Sequence, residues 1–242
     1  MRTSRVYYKD SLTVGSSIIL NTDSAHYLGN VLRLKEGNEV ILFNEDAGDV
    51  IGTITSITKQ ELSIKLNEKI TTPLVSDLYI HLGLVISKGD RMDYGIQKST
   101  ELGVNEITPL FSEFCEVKFT ESRRQQKKIG HWQRIAISAC EQSGAHIPLQ
   151  INNPTKIVSF VQRKVSSTRL ILDVQASKNI SEIGQADAFE ILIGPEGGFS
   201  NQELKIAKNH GYQPVNLGPR ILRTETAPVA ATAILQSKFG NW

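Results

Sequence analysis

Five short, mostly apolar stretches lie in the first 70 residues with polar turns between them, which is the pattern of β-strands. They are rich in Val, Ile, Leu and Thr, and turn-forming residues such as Gly37-Asn38 and Asp46-Ala47-Gly48 separate them. The predicted strands are residues 5–8, 17–20, 39–43, 50–57 and 61–66. Strands so short and so evenly spaced predict a small β-barrel.

One helix is predicted between the second and third strands. Its N-cap is expected to be Thr22 or Asp23, because a side-chain oxygen at that position accepts a bond from a free backbone N–H. Its predicted apolar face consists of Tyr27, Leu28, Val31, Leu32 and Leu34.

The pattern changes after Thr71-Thr72-Pro73, where the proline disfavours continued pairing or helix. From there, predicted strands alternate with predicted helices, which is typical of a mostly parallel sheet with helices on both faces. The predicted strands are residues 78–85, 106–110, 169–172, 190–193 and 214–217, and the predicted helices are residues 92–102, 121–143, 201–210 and 227–239. The expected fold is therefore α/β, with a β-barrel domain over residues 1–72 and an α/β domain over residues 73–242.

Composition and charge exclude several classes of protein. Of 242 residues, 40% are hydrophobic and 21% are charged, so the chain is neither disordered nor a coiled coil throughout. A net charge of +2 excludes a polycation but allows a local patch that binds RNA. Cys115 and Cys140 are too few for a disulfide framework, and the five scattered histidines lack metal-ligand spacing, so no metal is predicted. Without a signal peptide or a bilayer-spanning apolar run, the chain is expected to be cytoplasmic.

A basic run lies at residues 118–134, with six basic side chains against one acidic residue, Glu121. The basic members are Lys118, Arg123, Arg124, Lys127, Lys128 and Arg134. Such a run is either a solvated helix face or a helix that contacts phosphates, and the charge alone does not distinguish the two.

Two loops that contain Gly-Pro carry the strongest chemical signal. Residues 191–200, ILIGPEGGFS, lead from an apolar strand into a helix capped by Ser200, with Glu203 completing a capping box. Residues 217–227, LGPRILRTETA, repeat this order, with Thr224 or Thr226 as the predicted N-cap. Because ligands bind beyond the carboxyl ends of parallel strands, the two loops are expected to share one crevice. No P-loop, G-x-S-x-G elbow or G-x-G-x-x-G fingerprint occurs, which disfavours hydrolases and dinucleotide-dependent oxidoreductases.

Six strings of the sequence, in order, resemble the ribosomal RNA small subunit methyltransferase E family of the SPOUT, or α/β-knotted, class. They are HYLGNVLRL, KGDRMDYGIQKSTELGV, ITPLFSE, ACEQSG, LIGPEGGFS and LGPRILRTETA. The resemblance implies a PUA-like RNA-binding barrel followed by a methyltransferase domain with a deep trefoil knot. It also implies S-adenosylmethionine as cofactor, a homodimer, and N3-methylation of one uridine in small-subunit ribosomal RNA.

The resemblance assigns a cofactor site to Leu172, Gly194, Pro195, Glu196, Gly197, Leu217, Gly218, Ile221, Leu222 and Arg223. In catalysis, Arg223 is expected to stabilise negative charge on the uracil, and either Glu225 or Glu196 to accept its proton. The residues expected to hold RNA are Arg2, Arg5, Arg33, Lys88, Arg91, Arg123, Arg124 and Lys127. The family pattern has an arginine after Glu-Gln-Ser-Gly where this chain has Ala145, and the nearby His146 is a candidate substitute.

Two other functions stay open at this point. A SPOUT methyltransferase that acts on another RNA, such as tRNA, or on a ribose 2′-hydroxyl would share the knot and the cofactor. A non-catalytic RNA-binding assembly factor would share the barrel and the basic helix. The alanine-rich helix over residues 227–235 is expected to contribute to the dimer contact.

Overall fold

The computed structural model describes residues 3–58, 60–70, 76–117 and 122–240. The chain divides into two compact units, Met1–Val75 with Glu141–Ile147 and Ser76–Cys140 with Pro148–Trp242. The expected boundary between residues 72 and 73 falls in a stretch outside the described residues. Residues 141–147, which the sequence places in the second domain, belong to the first unit.

The first unit is built on one five-stranded sheet. Its strands are β1 (Arg5–Tyr7), β2 (Ser17–Leu20), β3 (Glu39–Asn44), β4 (Gly48–Ile57) and β5 (Leu62–Lys69). The order is β1-β3-β4-β5-β2, with β1 parallel to β3 and every other pairing antiparallel. Buried and half-buried positions alternate along most of β4, so one face of the sheet covers the core of this unit. The five predicted strands are confirmed, and among the described pairings they form an open half-barrel.

The helix between β2 and β3 differs from its prediction. α1 (Thr22–His26) continues into a π-helical turn, Tyr27–Val31. Its N-cap is Asn21, whose side-chain oxygen accepts from the N–H of Ser24 at 3.1 Å, so the expected cap at Thr22 or Asp23 is wrong.

The predicted apolar face of this helix is wrong for most of its members. Leu28 is fully buried, but Tyr27, Val31 and Leu32 are exposed. In the π-turn the N–H of Leu32 bonds to the carbonyl of Tyr27, five residues back, and this wider turn rotates the side chains off a single face.

The second unit is a parallel sheet, as predicted. Its strands are β6 (Tyr79–Val85), β7 (Glu106–Phe111), β8 (Gln150–Ile151), β9 (Thr155–Lys156), β10 (Thr168–Leu172), β11 (Ala188–Ile193) and β12 (Gln213–Val215). The order is β12-β10-β11-β6-β7-β8, and β9 also pairs with β7. All of these described pairings are parallel. The knot implied by the resemblance stays a prediction.

Helices cover both faces of this sheet. They are α2 (Arg91–Glu101), α3 (Ser122–Ser143), α4 (Ile157–Val161), α5 (Asn201–Asn209) and α6 (Thr226–Phe239). Along β11, Ile191 and Ile193 pack into the cluster that contains residues of α2, α3 and α6, whereas Leu192 packs into the cluster that contains residues of α4 and α5. Successive side chains of one strand therefore pack into two different hydrophobic cores, one on each face of the sheet.

Two helix starts test the predicted caps. The capping box of Ser200 and Glu203 at α5 is confirmed. At α6 the N-cap is Glu225, without a side-chain capping bond, so Thr224 and Thr226 are wrong as caps. The carbonyl of Arg223 accepts from the N–H groups of Thr226 and Ala227 instead, at 2.9 and 3.0 Å. Across the described ranges, none of the helices combines the length and apolar character needed to cross a membrane.

Candidate active site

A cavity of about 490 Å³ lies at the carboxyl ends of β10, β11 and β12. Three loops form its wall, at residues 172–175, 193–199 and 215–224. All ten predicted cofactor residues line it: Leu172, Gly194, Pro195, Glu196, Gly197, Leu217, Gly218, Ile221, Leu222 and Arg223. The expectation that the two Gly-Pro loops share one crevice is confirmed, while their binding of a cofactor stays a prediction.

The loop after β11 needs its glycines for close backbone approach. A Cβ added to Gly194 would lie 3.2 Å from the backbone carbon of Gly198, which is tighter than ordinary van der Waals contact. Gly198 has a φ of +70° and donates its N–H to the carbonyl of Pro195 at 2.8 Å. The loop therefore presents bare backbone to the cavity, which suits a ligand that approaches closely.

The loop after β12 holds an exposed arginine at the cavity wall. Gly218, with a φ of +104°, donates its N–H to the side-chain oxygen of Asn216 at 2.9 Å. The backbone carbonyl of Arg223 accepts hydrogen bonds from the first N–H groups of α6, whereas the side chain of Arg223 is exposed. Within the described part of the chain, no carboxylate forms an ion pair with this guanidinium, so its charge is available to a ligand.

Two buried oxygens near the start of α6 have no hydrogen-bond partner among the described residues. They are Oγ1 of Thr224, a residue of the cavity wall, and Oε2 of Glu225. A buried polar atom without a partner costs about 1–3 kcal/mol. A ligand that hydrogen-bonds to Thr224 would remove this cost, so the wall fits a polar cofactor such as S-adenosylmethionine.

Glu196 and Glu225 differ in their surroundings. Glu196 accepts a hydrogen bond from Arg91 in an ion pair, and both side chains are about half exposed. Arg91, which the sequence assigns to RNA, thus contacts a residue of the cavity loop. Lys88 forms a similar exposed pair with Glu116, which lowers the pKa of that carboxyl.

The side chain of Arg5 is largely buried, and its expected role in binding RNA stays a prediction. Its side chain is 9% exposed, donates to Asp49 at 2.8 Å and to the carbonyl of Ala145 at 3.1 Å, and lies over the ring of Phe43. These hydrogen bonds join the guanidinium to Asp49 and to the segment 141–147 inside the first unit.

His146, the candidate substitute for the family arginine, is also buried. It is 4% exposed, and its Nε2 lies 3.2 Å from Oδ1 of Asp49. Burial lowers the pKa of His146, and the opposing effect of the Asp49 carboxylate is smaller. The neutral form of the ring is therefore favoured.

The other residues expected to bind RNA are placed as follows. Arg33 is exposed and has a φ of +56°, a left-handed conformation that is rare for residues other than glycine. Arg123, Arg124 and Lys127 are exposed in the first two turns of α3. Arg2 lies outside the described residues, as does Lys118 of the basic run.

A buried polar cluster near the amino ends of β10, β11 and β6 was missed. At its centre is Glu190, with a side chain 1% exposed, which accepts hydrogen bonds from Arg163 and Tyr212. Arg169 Nε lies 3.5 Å from Oε1 of Glu190 and His81 Nδ1 lies 3.9 Å from Oε2. A carboxylate inside an apolar strand was the available signal.

His81 is neutral in this cluster. Burial lowers its pKa to about 4, although Glu106 opposes the shift. Its Nε2 lies 2.8 Å from the hydroxyl of Thr108. Glu106 itself has a lowered pKa: burial raises it, but hydrogen bonds from Tyr79 and Asn152 outweigh that effect. Among the described residues, no three His, Cys, Asp or Glu side chains are grouped as metal ligands.

Comparison with known proteins adds a family to this geometry. A profile described as an RNA methyltransferase domain matches residues 75–236, and one described as an RNA methyltransferase PUA domain matches residues 20–67. The ribosomal RNA small subunit methyltransferase E of Buchnera aphidicola subsp. Schizaphis graminum is 40% identical over 99% of this chain and 98% of its own length. The protein of the same description from Rickettsia conorii is 30% identical over 96% and 95%.

Two solved structures are similar over nearly their full length. A Legionella pneumophila protein in complex with S-adenosylmethionine has a TM-score of 0.96 and 36% identity, covering 100% of both chains. The ribosomal RNA small subunit methyltransferase E of Neisseria gonorrhoeae, bound to S-adenosylmethionine, has a TM-score of 0.91 and 36% identity, covering 99% of both chains. The resemblance seen in the six sequence strings is confirmed, and the chain belongs to the ribosomal RNA small subunit methyltransferase E family.

Proposed function

We propose that this chain transfers a methyl group from S-adenosylmethionine to N3 of a uridine in small-subunit ribosomal RNA. The observation that carries the proposal is the cavity between the two Gly-Pro loops, in a chain 36% identical to a family member solved with that cofactor. An alternative acceptor, such as a ribose hydroxyl, has no specific support in the described residues.

The cavity wall would hold the cofactor through backbone groups of its glycine loops and through one side-chain hydroxyl, that of Thr224. The bare backbone around Gly194 and Gly218 allows close approach, and Thr224 Oγ1 offers an unused hydrogen-bonding group. When bound, S-adenosylmethionine supplies an electrophilic methyl group attached to a positively charged sulfur. The loops would then act mainly by orientation, which lowers the barrier of a reaction between two bound groups.

The acceptor nitrogen needs help from the protein, because uracil N3 carries a proton and is a poor nucleophile until that proton leaves. We assign the stabilisation of the resulting negative charge to Arg223, whose exposed guanidinium is free of an ion pair among the described residues. We assign the proton to Glu225, because one of its oxygens lacks a partner whereas Glu196 is held by Arg91.

We propose that exposed basic side chains within each unit contact RNA. They are Arg33 of the first unit and Lys88, Arg91, Arg123, Arg124 and Lys127 of the second. Each phosphate neutralised by such a side chain strengthens binding and makes it salt-dependent. A homodimer with a contact at α6 and a cytoplasmic location belong to the same proposal, and sedimentation and cell fractionation test them.

The decisive experiment incubates the protein and labelled S-adenosylmethionine with small ribosomal subunits that lack the modification. We expect one methyl group per subunit, recovered as 3-methyluridine after digestion and mass analysis. Recovery of a ribose-methylated nucleoside would contradict the N3 assignment. Calorimetry that finds no binding of S-adenosylmethionine would instead support a non-catalytic assembly factor.

A further inference from the structure

An exposed aromatic ring lies against the cavity loop. Phe114, in the loop after β7, is 47% exposed. A Cβ built on Gly197 would lie 3.5 Å from Cβ and 3.6 Å from Cδ2 of Phe114, which is ordinary van der Waals contact. Gly197 itself lines the cavity. The ring therefore stands at the rim of the cavity, with much of its surface open to solvent.

Buried hydrogen bonds fix the backbone around this ring. The carboxylate of Glu203, which is 7% exposed, accepts from the N–H of Glu113 at 2.8 Å and from the N–H of Ser200 at 2.9 Å. On the other side of Phe114, the thiol of Cys115 lies 3.4 Å from the carbonyl oxygen of Ile86. One buried carboxylate thus joins the loop of Phe114 to the capping box of α5, so the ring is held exposed on a fixed support.

Two exposed ion pairs involve residues next to this loop and to Gly197. Glu116, two residues along the chain, pairs with Lys88, and Glu196, next to Gly197, pairs with Arg91. An exposed aromatic face close to the basic side chains of these pairs matches a nucleotide, whose base stacks on aromatic rings and whose phosphate is anionic.

We propose that Phe114 is the surface on which the target pyrimidine stacks after it leaves the RNA base stack. This inference rests on the proposed function, since the stacked base is the methyl acceptor. Enzymes that modify a base must take it out of its stack, and an aromatic platform offsets the stacking that is lost. Phe114 is a positioning residue: it orients the base at the cavity rim and exchanges no proton.

The test compares Phe114→Ala, Phe114→Leu and Phe114→Tyr. Affinity for unmethylated small subunits is measured without S-adenosylmethionine, and kcat/KM for methylation is measured separately. We expect affinity and kcat/KM to fall about tenfold in Phe114→Ala and Phe114→Leu, because an aliphatic side chain offers no π-face, and to stay within about twofold in Phe114→Tyr. Tyr94→Ala is the matched control, since Tyr94 is also 47% exposed but lies on α2, whereas Phe114 lies against Gly197 of the cavity loop.

Three results would overturn the inference: unchanged RNA affinity and kcat/KM in Phe114→Ala, a Phe114→Leu protein as good as Phe114→Tyr, or a loss confined to affinity for S-adenosylmethionine. Melting temperature, measured beside them, separates a folding defect from loss of stacking, and Phe114→Tyr keeps the loop intact if the alanine protein unfolds. A wild-type protein that binds subunits but methylates none would refute the proposed function. The binding measurement would still decide the role of Phe114.

Discussion

At the amino ends of β10, β11 and β6, charged side chains pair around the buried carboxylate of Glu190, whereas at the carboxyl ends of β10, β11 and β12 the charged side chains of Glu196 and Arg223 are exposed. Glu190 at the first edge is 1% exposed and contacts Arg163 and Arg169. At the second edge Arg223 is exposed, and Thr224 has a buried oxygen without a partner among the described residues. Polar groups of the first edge are used to hold the sheet together, and those of the second are left for a ligand. The comparison predicts that mutations at the two edges separate stability from activity.

Removal of the central carboxylate should have the largest effect, and it should fall on stability. Glu190→Ala removes the acceptor of Nη2 of Arg163 and of the buried hydroxyl of Tyr212, and it removes the opposite charge beside Arg169. Breaking a buried ion pair costs about 3–5 kcal/mol, so we expect the free energy of unfolding in urea to fall by that amount. Glu101→Ala, which removes an i,i+3 pair with Lys98, is the control, with an expected loss of about 0.3–0.5 kcal/mol. Equal losses in the two variants would contradict a special role for the buried edge.

A mutation at the carboxyl ends of the strands should lower methyl transfer and leave the fold unchanged. Arg223→Ala removes one preorganised cation, and we expect methyl transfer to fall about 10²-fold or more. Melting temperature and affinity for S-adenosylmethionine should stay close to wild type. Arg223→Lys should rescue little, because a point charge does not reproduce the guanidinium fork. Near-normal single-turnover methylation by a stable Arg223→Ala protein would remove the catalytic assignment.

His81 should make the buried edge sensitive to acid. Because its pKa is about 4 in the folded protein and near 6.5 when unfolded, the unfolded chain binds the proton first as pH falls. Stability from the neutral ring is thus present above pH 6.5 and lost toward pH 4, by about 2 kcal/mol between pH 7 and pH 5. Glu106, with its lowered pKa, loses its contribution only at lower pH. His81→Gln should flatten the pH dependence of unfolding between pH 7 and 5, and an unchanged profile would show that His81 does not cause it.

Mutation of Thr224 should have the smallest effect, raising the stability of the free protein and lowering its affinity for the cofactor. Thr224→Val replaces the buried, unpartnered hydroxyl by a methyl of similar size. We expect the free energy of unfolding without cofactor to rise slightly, while affinity for S-adenosylmethionine falls by roughly two- to tenfold, equivalent to one hydrogen bond. Calorimetry and urea unfolding on the same samples test both signs. Unchanged affinity would mean that this hydroxyl does not face the cofactor.

Most of the fold was predictable because alternation and helical spacing repeat over several residues. β8, β9 and α4 were missed, since strands of two residues show no alternation and four of the five residues of α4, IVSFV, are β-branched or aromatic. The cap of α1 was placed one or two residues late because Asn21, Thr22 and Asp23 are all good caps. Residue preference alone does not choose among three adjacent good caps; the position at which the helix begins makes Asn21 the N-cap.

The cavity was predictable from its glycines, and the charged side chains around it were not. Gly194 and Gly218 occupy positions whose backbone demands are visible in a Gly-Pro loop. Arg5 has no local signal that says whether it faces solvent or the interior. The position of Glu190 inside an apolar strand is a signal of burial, but it does not identify the partners of Glu190, which are distant in sequence. Phe114 looks like a core residue in the sequence, and only the fold exposes its ring.

Because the first unit includes residues 141–147, it cannot form all of its contacts until those residues have been synthesised. Asp49 already has Arg5 as a partner within the first 75 residues, but its contact with His146 and the bond from the N–H of Tyr7 to Glu141 require chain made much later. At roughly 5–20 residues per second, the ribosome needs several seconds more to deliver them. The half-barrel is therefore completed only after much of the second unit has been translated, and a fragment ending at residue 72 would hold it permanently at the earlier stage.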